Sequence, residues 1–184
     1  MKFFNTADLC DEFDNIQIAK PIFSQYGRKK KFCGKMRTVS VLDDNSYVKK
    51  LIEKKVNGDV MVIDGNASDN CALLGDNLAR KAFNNGWSGF IINGYIRDVE
   101  IINDIEIGIK AIGSLPRKSE KKDIGKYGEI LRFAEVDFTD GHYVYSDSDG
   151  IIVSKDILDK KDDNTTKQSI PYIKLTGVKK YDDT

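Results

Sequence analysis

The sequence predicts an α/β fold: a βαβ core carrying a parallel sheet, with further β-strands around it. Three observations lead there. Short apolar runs at 59–64 and 87–93 flank a segment with helical signals at 76–85. The order strand, helix, strand, turn, strand then holds across 59–112, as in βαβ units. Beyond Pro116 the pattern changes to short strands around Asp140-Gly141, a hairpin signal.

Each element has a local cause. Thr6 is suited to cap a helix over 6–13, its hydroxyl meeting a free N–H of the first turn. Leu9 and Phe13 lie four residues apart and share a face of that helix. Pro21 ends anything helical before it. Met36, Val39 and Val41 mark 32–42 as a strand. Ser46 is suited to cap a helix over 46–55, with Tyr47, Val48, Leu51 and Ile52 as its apolar stripe. The run 59–64 reads as a buried strand and Gly65-Asn66-Ala67-Ser68 as a loop. Ala72-Leu73-Leu74-Gly75 leads into a helix over 76–85, which Asn84-Asn85-Gly86 terminates. A strand at 87–93 is followed by the loop Gly94-Tyr95-Ile96-Arg97-Asp98, a helical turn at 99–103 and a strand at 105–112. The stretch 117–128 is charged. The runs 130–138 and 143–145 read as an antiparallel pair, 150–153 as a strand and 156–161 as a short helix. One domain over 1–161 and a polar, Lys/Asp-rich tail over 162–184 follow from this pattern.

Composition narrows the function. At 184 residues one domain is the default. Lys+Arg and Asp+Glu are both 29, so the basic excess of a nucleic-acid binder is missing and no direct nucleic-acid partner is expected. No apolar run approaches the roughly 18 residues of a membrane span, so no membrane partner is expected. Acidic Asp8 comes too early for a signal peptide. Cys10, Cys33 and Cys71 are odd in number and form no CxxC, against a disulfide framework or zinc ribbon. A soluble, reduced, cytoplasmic protein is the expectation.

Two strand ends carry the chemistry. One leads through Gly75 into a helix start, and the other presents Arg97-Asp98. In open α/β sheets, ligands sit outside the carboxyl ends of the strands. The N–H groups from Gly75 to Leu78 are helix-start donors suited to a carboxylate or phosphate, and Arg97 adds a fork for the same anion. Asp76 and Asp98 could share Mg²⁺ or Mn²⁺. Spacing alone leaves a plainer alternative, a helix-start dipole partner and a loop ion pair. Elsewhere, His142 is the single histidine, which excludes a zinc triad of histidines within one chain. Asp147-Ser148-Asp149-Gly150 lacks the spacing and closing Glu of an EF-hand. Cys71 reads as a buried thiol, Gly65 opens no GxGxxG, and Arg28 to Lys31 read as a solvated basic loop or an anionic contact.

Several segments, taken in order, resemble the regulator of ribonuclease activity A family. They include Thr6-Ala7-Asp8-Leu9-Cys10-Asp11, Pro21-Ile22-Phe23, Phe32-Cys33-Gly34-Lys35, Val62-Ile63-Asp64-Gly65, Gly86-Trp87, Ile92-Asn93-Gly94-Tyr95-Ile96-Arg97-Asp98 and Asp149-Gly150-Ile151-Ile152-Val153. The resemblance runs from about residue 4 to about 160. It implies a swivelling β/β/α domain, homotrimers, and a site at the subunit boundary. One branch of that superfamily comprises divalent-metal-dependent 4-hydroxy-4-methyl-2-oxoglutarate aldolases, which carry an Asp, twenty residues, then Arg-Asp. Asp76, twenty residues and Arg97-Asp98 complete that motif here. The other branch binds ribonuclease E and inhibits it, and the N-terminal third resembles that branch most.

The resemblance therefore implies cleavage of a 4-hydroxy-2-oxo acid to pyruvate, with oxaloacetate decarboxylation as a side activity. It makes Asp98 the ligand of Mg²⁺ or Mn²⁺ and Arg97 the stabiliser of enolate charge. Gly75, Asp76, Asn77 and Leu78 would hold the substrate carboxylate, and Asp76 would help a water take the hydroxyl proton. The alternative it implies is a protein inhibitor docking on ribonuclease E.

Overall fold

The computed structural model describes residues 4–159. Helix α1 (Thr6–Glu12) precedes two short strands, β1 (Gln17–Ile18) and β2 (Ser24–Tyr26). Then come β3 (Phe32–Ser40), α2 (Ser46–Ile52), β4 (Val60–Asp64), β5 (Ala72–Leu74), α3 (Asp76–Asn84) and β6 (Gly89–Ile96). Helix α4 (Val99–Ile102) leads to β7 (Gly108–Ser114). The remaining strands are β8 (Lys126–Tyr127), β9 (Leu131–Phe133), β10 (Val136–Phe138), β11 (Tyr143–Ser146) and β12 (Ile151–Ser154).

The parallel core is β3-β4-β6-β7. Antiparallel strands extend it on both sides, in the order β1-β12-β11-β3-β4-β6-β7-β2. Period-two alternation sends neighbouring residues to opposite faces. Met61, Ile63, Phe90, Ile92 and Ile109 face the helices, packing with Val48, Ile52, Ala79, Ala82 and Ile102. Val60, Val62 and Ile91 face the other way, against Phe32, Val144 and the β9-β10 hairpin. A third cluster, with Phe4, Leu9 and Tyr145, holds α1 to the outside of the β11-β12 pair. Both faces of the core strands are thus covered, which is why 60–63 and 89–92 are apolar without alternation.

Helix α3 ends as the sequence expects. Gly86 takes φ +87°, its N–H donates to the Phe83 carbonyl, and the Trp87 N–H donates to the Ala82 carbonyl. Those two bonds are a Schellman motif, and the left-handed position favours glycine.

Other expectations are corrected. Thr6 and Ser46 are the first helical residues, not the caps; Asn5 and Asn45 hold the cap positions. Other carboxylates meet the first-turn donors: distant Asp147 accepts from the Thr6 N–H, and Asp44, two residues earlier, from the Ser46 N–H. Ala72–Leu74 forms a strand on β6, and Gly94 to Ile96 continue β6 where a loop was expected. Ile105 and Ile107 precede β7. The hairpin partner of β10 is β9, through a turn at Ala134-Glu135 with φ of +50° and +60°. The Asp140-Gly141 turn instead returns the chain to β3: Gly141 donates to the Met36 carbonyl and Asp140 Oδ1 accepts from the Thr38 N–H. Residues 156–159 are not helical. The rest of that expected helix and the tail from 162 lie outside the described residues.

Candidate active site

The site is assembled where β5 and β6 run out side by side. The Arg97 N–H donates to the Leu74 carbonyl at 3.0 Å, locking the two strand ends together. Past Leu74, Gly75 is extended (φ −130°, ψ −179°) and caps α3, its carbonyl accepting the Ala79 N–H. The first-turn N–H groups of Asp76, Asn77 and Leu78 have no partner within the helix and point out of its positive end.

Past Ile96, Asp98 adopts a left-handed conformation (φ +58°, ψ +39°) and begins α4. Aspartate tolerates this region better than most residues, yet such strain concentrates where function needs it. The turn brings the carboxylate back over Gly75. Asp98 Oδ2 lies 3.4 Å from Arg97 Nε and 3.4 Å from the Asp76 N–H. Both contacts are long, so the carboxylate is held loosely. A side chain at position 75 would fill this junction: a Cβ there would stand 2.7 Å from Asp98 Oδ2 and 3.2 Å from Arg97 Nε.

A cleft of about 550 Å³ opens in front of these groups. Gly75, Asp76, Asn77, Leu78 and Arg97 all line it, while Asp98 sits beside Arg97 just outside the lining. The opposite wall was missed in the sequence. It consists of Asn45 and the largely exposed segment Lys118, Ser119, Glu120 and Lys121. That segment is charged and aperiodic, so nothing in its pattern places it. Ala72 tethers one end, donating to the Arg117 carbonyl at 2.8 Å and bridging to Lys118. Asp44 tethers the other. Burial pushes the Asp44 carboxyl up, but the Ile124 N–H, the Ser46 hydroxyl and N–H, and the Lys122 N–H outweigh it and hold it down at about 2.

Among the described residues, no group of three or more His, Cys, Asp or Glu is placed to hold a metal. Asp98 nonetheless offers a hard oxygen donor with a third of its side-chain surface exposed. One such carboxylate fits Mg²⁺ or Mn²⁺, which keep several waters and take substrate oxygens rather than a closed protein cage. His142, in the β10-β11 connection, Cys71, buried at the β5 edge, and Asp147, after β11 and bonded to the start of α1, take no part in the cleft.

Residues 6–153 match the model of the RraA-like family, described as Aldolase/RraA. A protein of Marinomonas sp. named "Putative 4-hydroxy-4-methyl-2-oxoglutarate aldolase" is 48% identical over 152 residues, covering 82% of this chain and 94% of that one. A Bacillus anthracis protein of the same name is 46% identical, covering 82% of this chain and 96% of its own. Two solved structures superpose with a TM-score of 0.83. One is the RNA-processing inhibitor RraA from Thermus thermophilus, 32% identical, covering 86% of this chain and 96% of its own. The other is described as an S-adenosylmethionine:2-dimethylmenaquinone methyltransferase from Geobacillus kaustophilus, 43% identical, covering 84% and 97%. The names borne by these chains differ, so the chemistry has to be argued from the cleft.

Proposed function

This chain belongs to the RraA-like family, and from that premise we propose that it is a lyase of small 2-oxo acids. The substrate is 4-hydroxy-4-methyl-2-oxoglutarate or a close relative, cleaved to pyruvate. Residues 1–161 form the catalytic unit and 162–184 a tail. The observation that carries the reading is the convergence, at Gly75, of the α3 N-terminus, Arg97 and Asp98.

A 2-oxo acid presents a carboxylate beside a carbonyl. The N–H groups of Asp76, Asn77 and Leu78 suit the carboxylate, a helix N-terminus being a natural anion site. The Arg97 guanidinium then lies within reach of the 2-oxo oxygen. As the C3–C4 bond breaks, its electron pair moves toward that oxygen, and Arg97 spreads the charge. The proton leaving the 4-hydroxyl passes through a water to the Asp76 carboxylate, and a proton returned to C3 completes pyruvate. A divalent cation held by Asp98, Mg²⁺ or Mn²⁺, supplies Lewis-acid polarisation of the 2-oxo group when bound. Loss of CO₂ from oxaloacetate generates the same charge on the same oxygen, so decarboxylation is the expected side activity. Homotrimer formation, with a neighbouring copy completing the site, belongs to the same reading.

The test is pyruvate release from 4-hydroxy-4-methyl-2-oxoglutarate and from oxaloacetate, with Mg²⁺ and with excess EDTA, beside Arg97→Ala. Turnover that needs both cation and Arg97 supports the lyase; no turnover with any divalent cation sinks it for these substrates. The likeness to the Thermus inhibitor favours a second reading, a regulator docking on ribonuclease E. A salt-sensitive, chelator-indifferent pull-down with ribonuclease E is the result it requires.

A further inference from the structure

One buried side chain outside the cleft ties the two parts of its far wall together, and Asn45 links that wall to the β5 side. Asp44 is fully buried. Its Oδ1 accepts the Ser46 N–H at 2.7 Å, and its Oδ2 accepts the N–H groups of Lys122 at 2.9 Å and Ile124 at 3.0 Å. The first bond fixes the start of α2 beside Asn45, which lines the cleft and donates to the Leu73 carbonyl at 3.2 Å. The other two fix the far end of the wall formed by Lys118 to Lys121.

Between the Ala72 tether and the Asp44 tether, Lys118, Glu120 and Lys121 are exposed and Ser119 is half-buried. The ion pairs nearby, Lys50 with Asp123 and Lys122 with Glu120, are exposed at both ends and hold little. The buried carboxylate is the charged anchor at this end of the wall. Three N–H donors on one carboxylate are charge-assisted bonds, stronger than neutral ones.

We propose that Asp44 is a positioning residue of the candidate active site, setting the distance between the 118–121 wall and the Gly75–Arg97 side of the cleft. Its catalytic consequence rests on the lyase reading; its structural consequence does not. The wall faces the part of the substrate beyond the 2-oxo acid group, so its displacement weakens substrate binding more than the bond-breaking step.

The test pairs Asp44→Ala with Asp44→Asn. Alanine removes both oxygens. Asparagine keeps one acceptor and turns an NH₂ toward the other donor set, so it serves if alanine fails to fold. Amide hydrogen exchange is followed at Ser46, Lys122 and Ile124, with Ile63 and Ile92 of the core as reference. Expected is about tenfold or faster exchange at Lys122 and Ile124 in Asp44→Ala, the effect of losing a bond to a charged acceptor. In Asp44→Asn the same acceleration appears at Ser46 or at the Lys122 and Ile124 pair. The reference amides stay protected, and KM rises severalfold with a smaller change in kcat. Wild-type exchange at all three amides in folded variants overturns the proposal, as does a fall in kcat at unchanged KM. If the wild-type protein turns over no 2-oxo acid, the lyase reading fails alone, and the exchange rates still decide whether Asp44 holds the wall.

Discussion

Gly75 and Asp98 meet so closely that a methyl group on the glycine would stand 2.7 Å from the aspartate Oδ2. The obstructing atom ends a loosely held side chain, so Gly75→Ala displaces the carboxylate and Arg97 rather than unfolding the protein. Backbone strain is not involved, because Gly75 is extended. Expected is near wild-type thermal stability with a fall in kcat/KM of about tenfold or more, the scale of a 1 Å misplacement in a preorganised site.

Arg97→Ala is expected to cost about 10²–10³ in kcat, the usual effect of removing one donor from developing negative charge. Arg97→Lys restores little, since an ammonium cannot supply the planar fork. Steady-state kinetics on both variants check this.

Removal of divalent cations with EDTA is expected to abolish turnover, and Mg²⁺ or Mn²⁺ to restore it. Titration calorimetry with Mn²⁺ alone gives a readout independent of activity. Asp98→Asn is expected to weaken that binding about tenfold or more, because a neutral amide is a poorer ligand for a hard cation.

Acid stability has a defined sign. The Asp44 carboxyl is held at about 2 against an ordinary 3.8. A depressed carboxyl contributes stability that is fully present above pH 4 and is lost as pH falls toward 2. The difference is worth about 2 kcal/mol. Asp147 is also held below its ordinary value: burial raises it, and the Thr6 hydroxyl and N–H more than compensate. Urea unfolding at pH 6 and pH 3 is expected to show a smaller loss of stability on acidification in Asp44→Asn than in the wild type.

Phe32 lies across two strands that carry no side chain beneath it. A Cβ on Gly108 would fall 2.0 Å from its ring, and one on Gly89 2.4 Å. Gly108→Ala is expected to destabilise by about 1–3 kcal/mol through overpacking. Phe32→Ala removes the ring at about 3–5 kcal/mol. In the double variant the two penalties are expected not to add, which a denaturation cycle measures.

The parallel core was legible because burial on both faces writes an unbroken apolar run, as at Val60 to Ile63. The α3 terminus was legible because Gly86 does there what few other residues can. That Gly75 and Arg97 meet in one cleft was legible for the same local reason: a helix start follows Gly75, and the Arg97-Asp98 pair follows a strand. What was hidden is non-local. Asn5 makes no side-chain capping bond, and the Thr6 N–H beside it is met by Asp147 from across the chain, while Asp44 reaches Lys122 and Ile124 with its second oxygen. The β9-β10 turn uses Ala134 and Glu135 in left-handed conformations, against the preference of both residues, while the stronger Asp140-Gly141 signal serves a different connection. The far wall of the cleft depends on two tethers and has no periodicity of its own.

The pairing of β1 with β12 joins Gln17 to Val153, and Thr6 bonds to Asp147 across 141 positions. By contrast, β3, β4, β6 and β7 come from one continuous stretch and need nothing outside it to pair. During synthesis the parallel core, with both strand ends of the cleft, can therefore assemble while the last strands are still within the ribosome. The antiparallel flank and α1 must wait for residue 154. Closing contacts of such sequence separation is slow. A nascent chain stalled just past Ser114 therefore carries both strand ends of the cleft but exposes the apolar face that Val144, Phe138 and Leu131 later cover. Chaperone demand should be greatest in that interval.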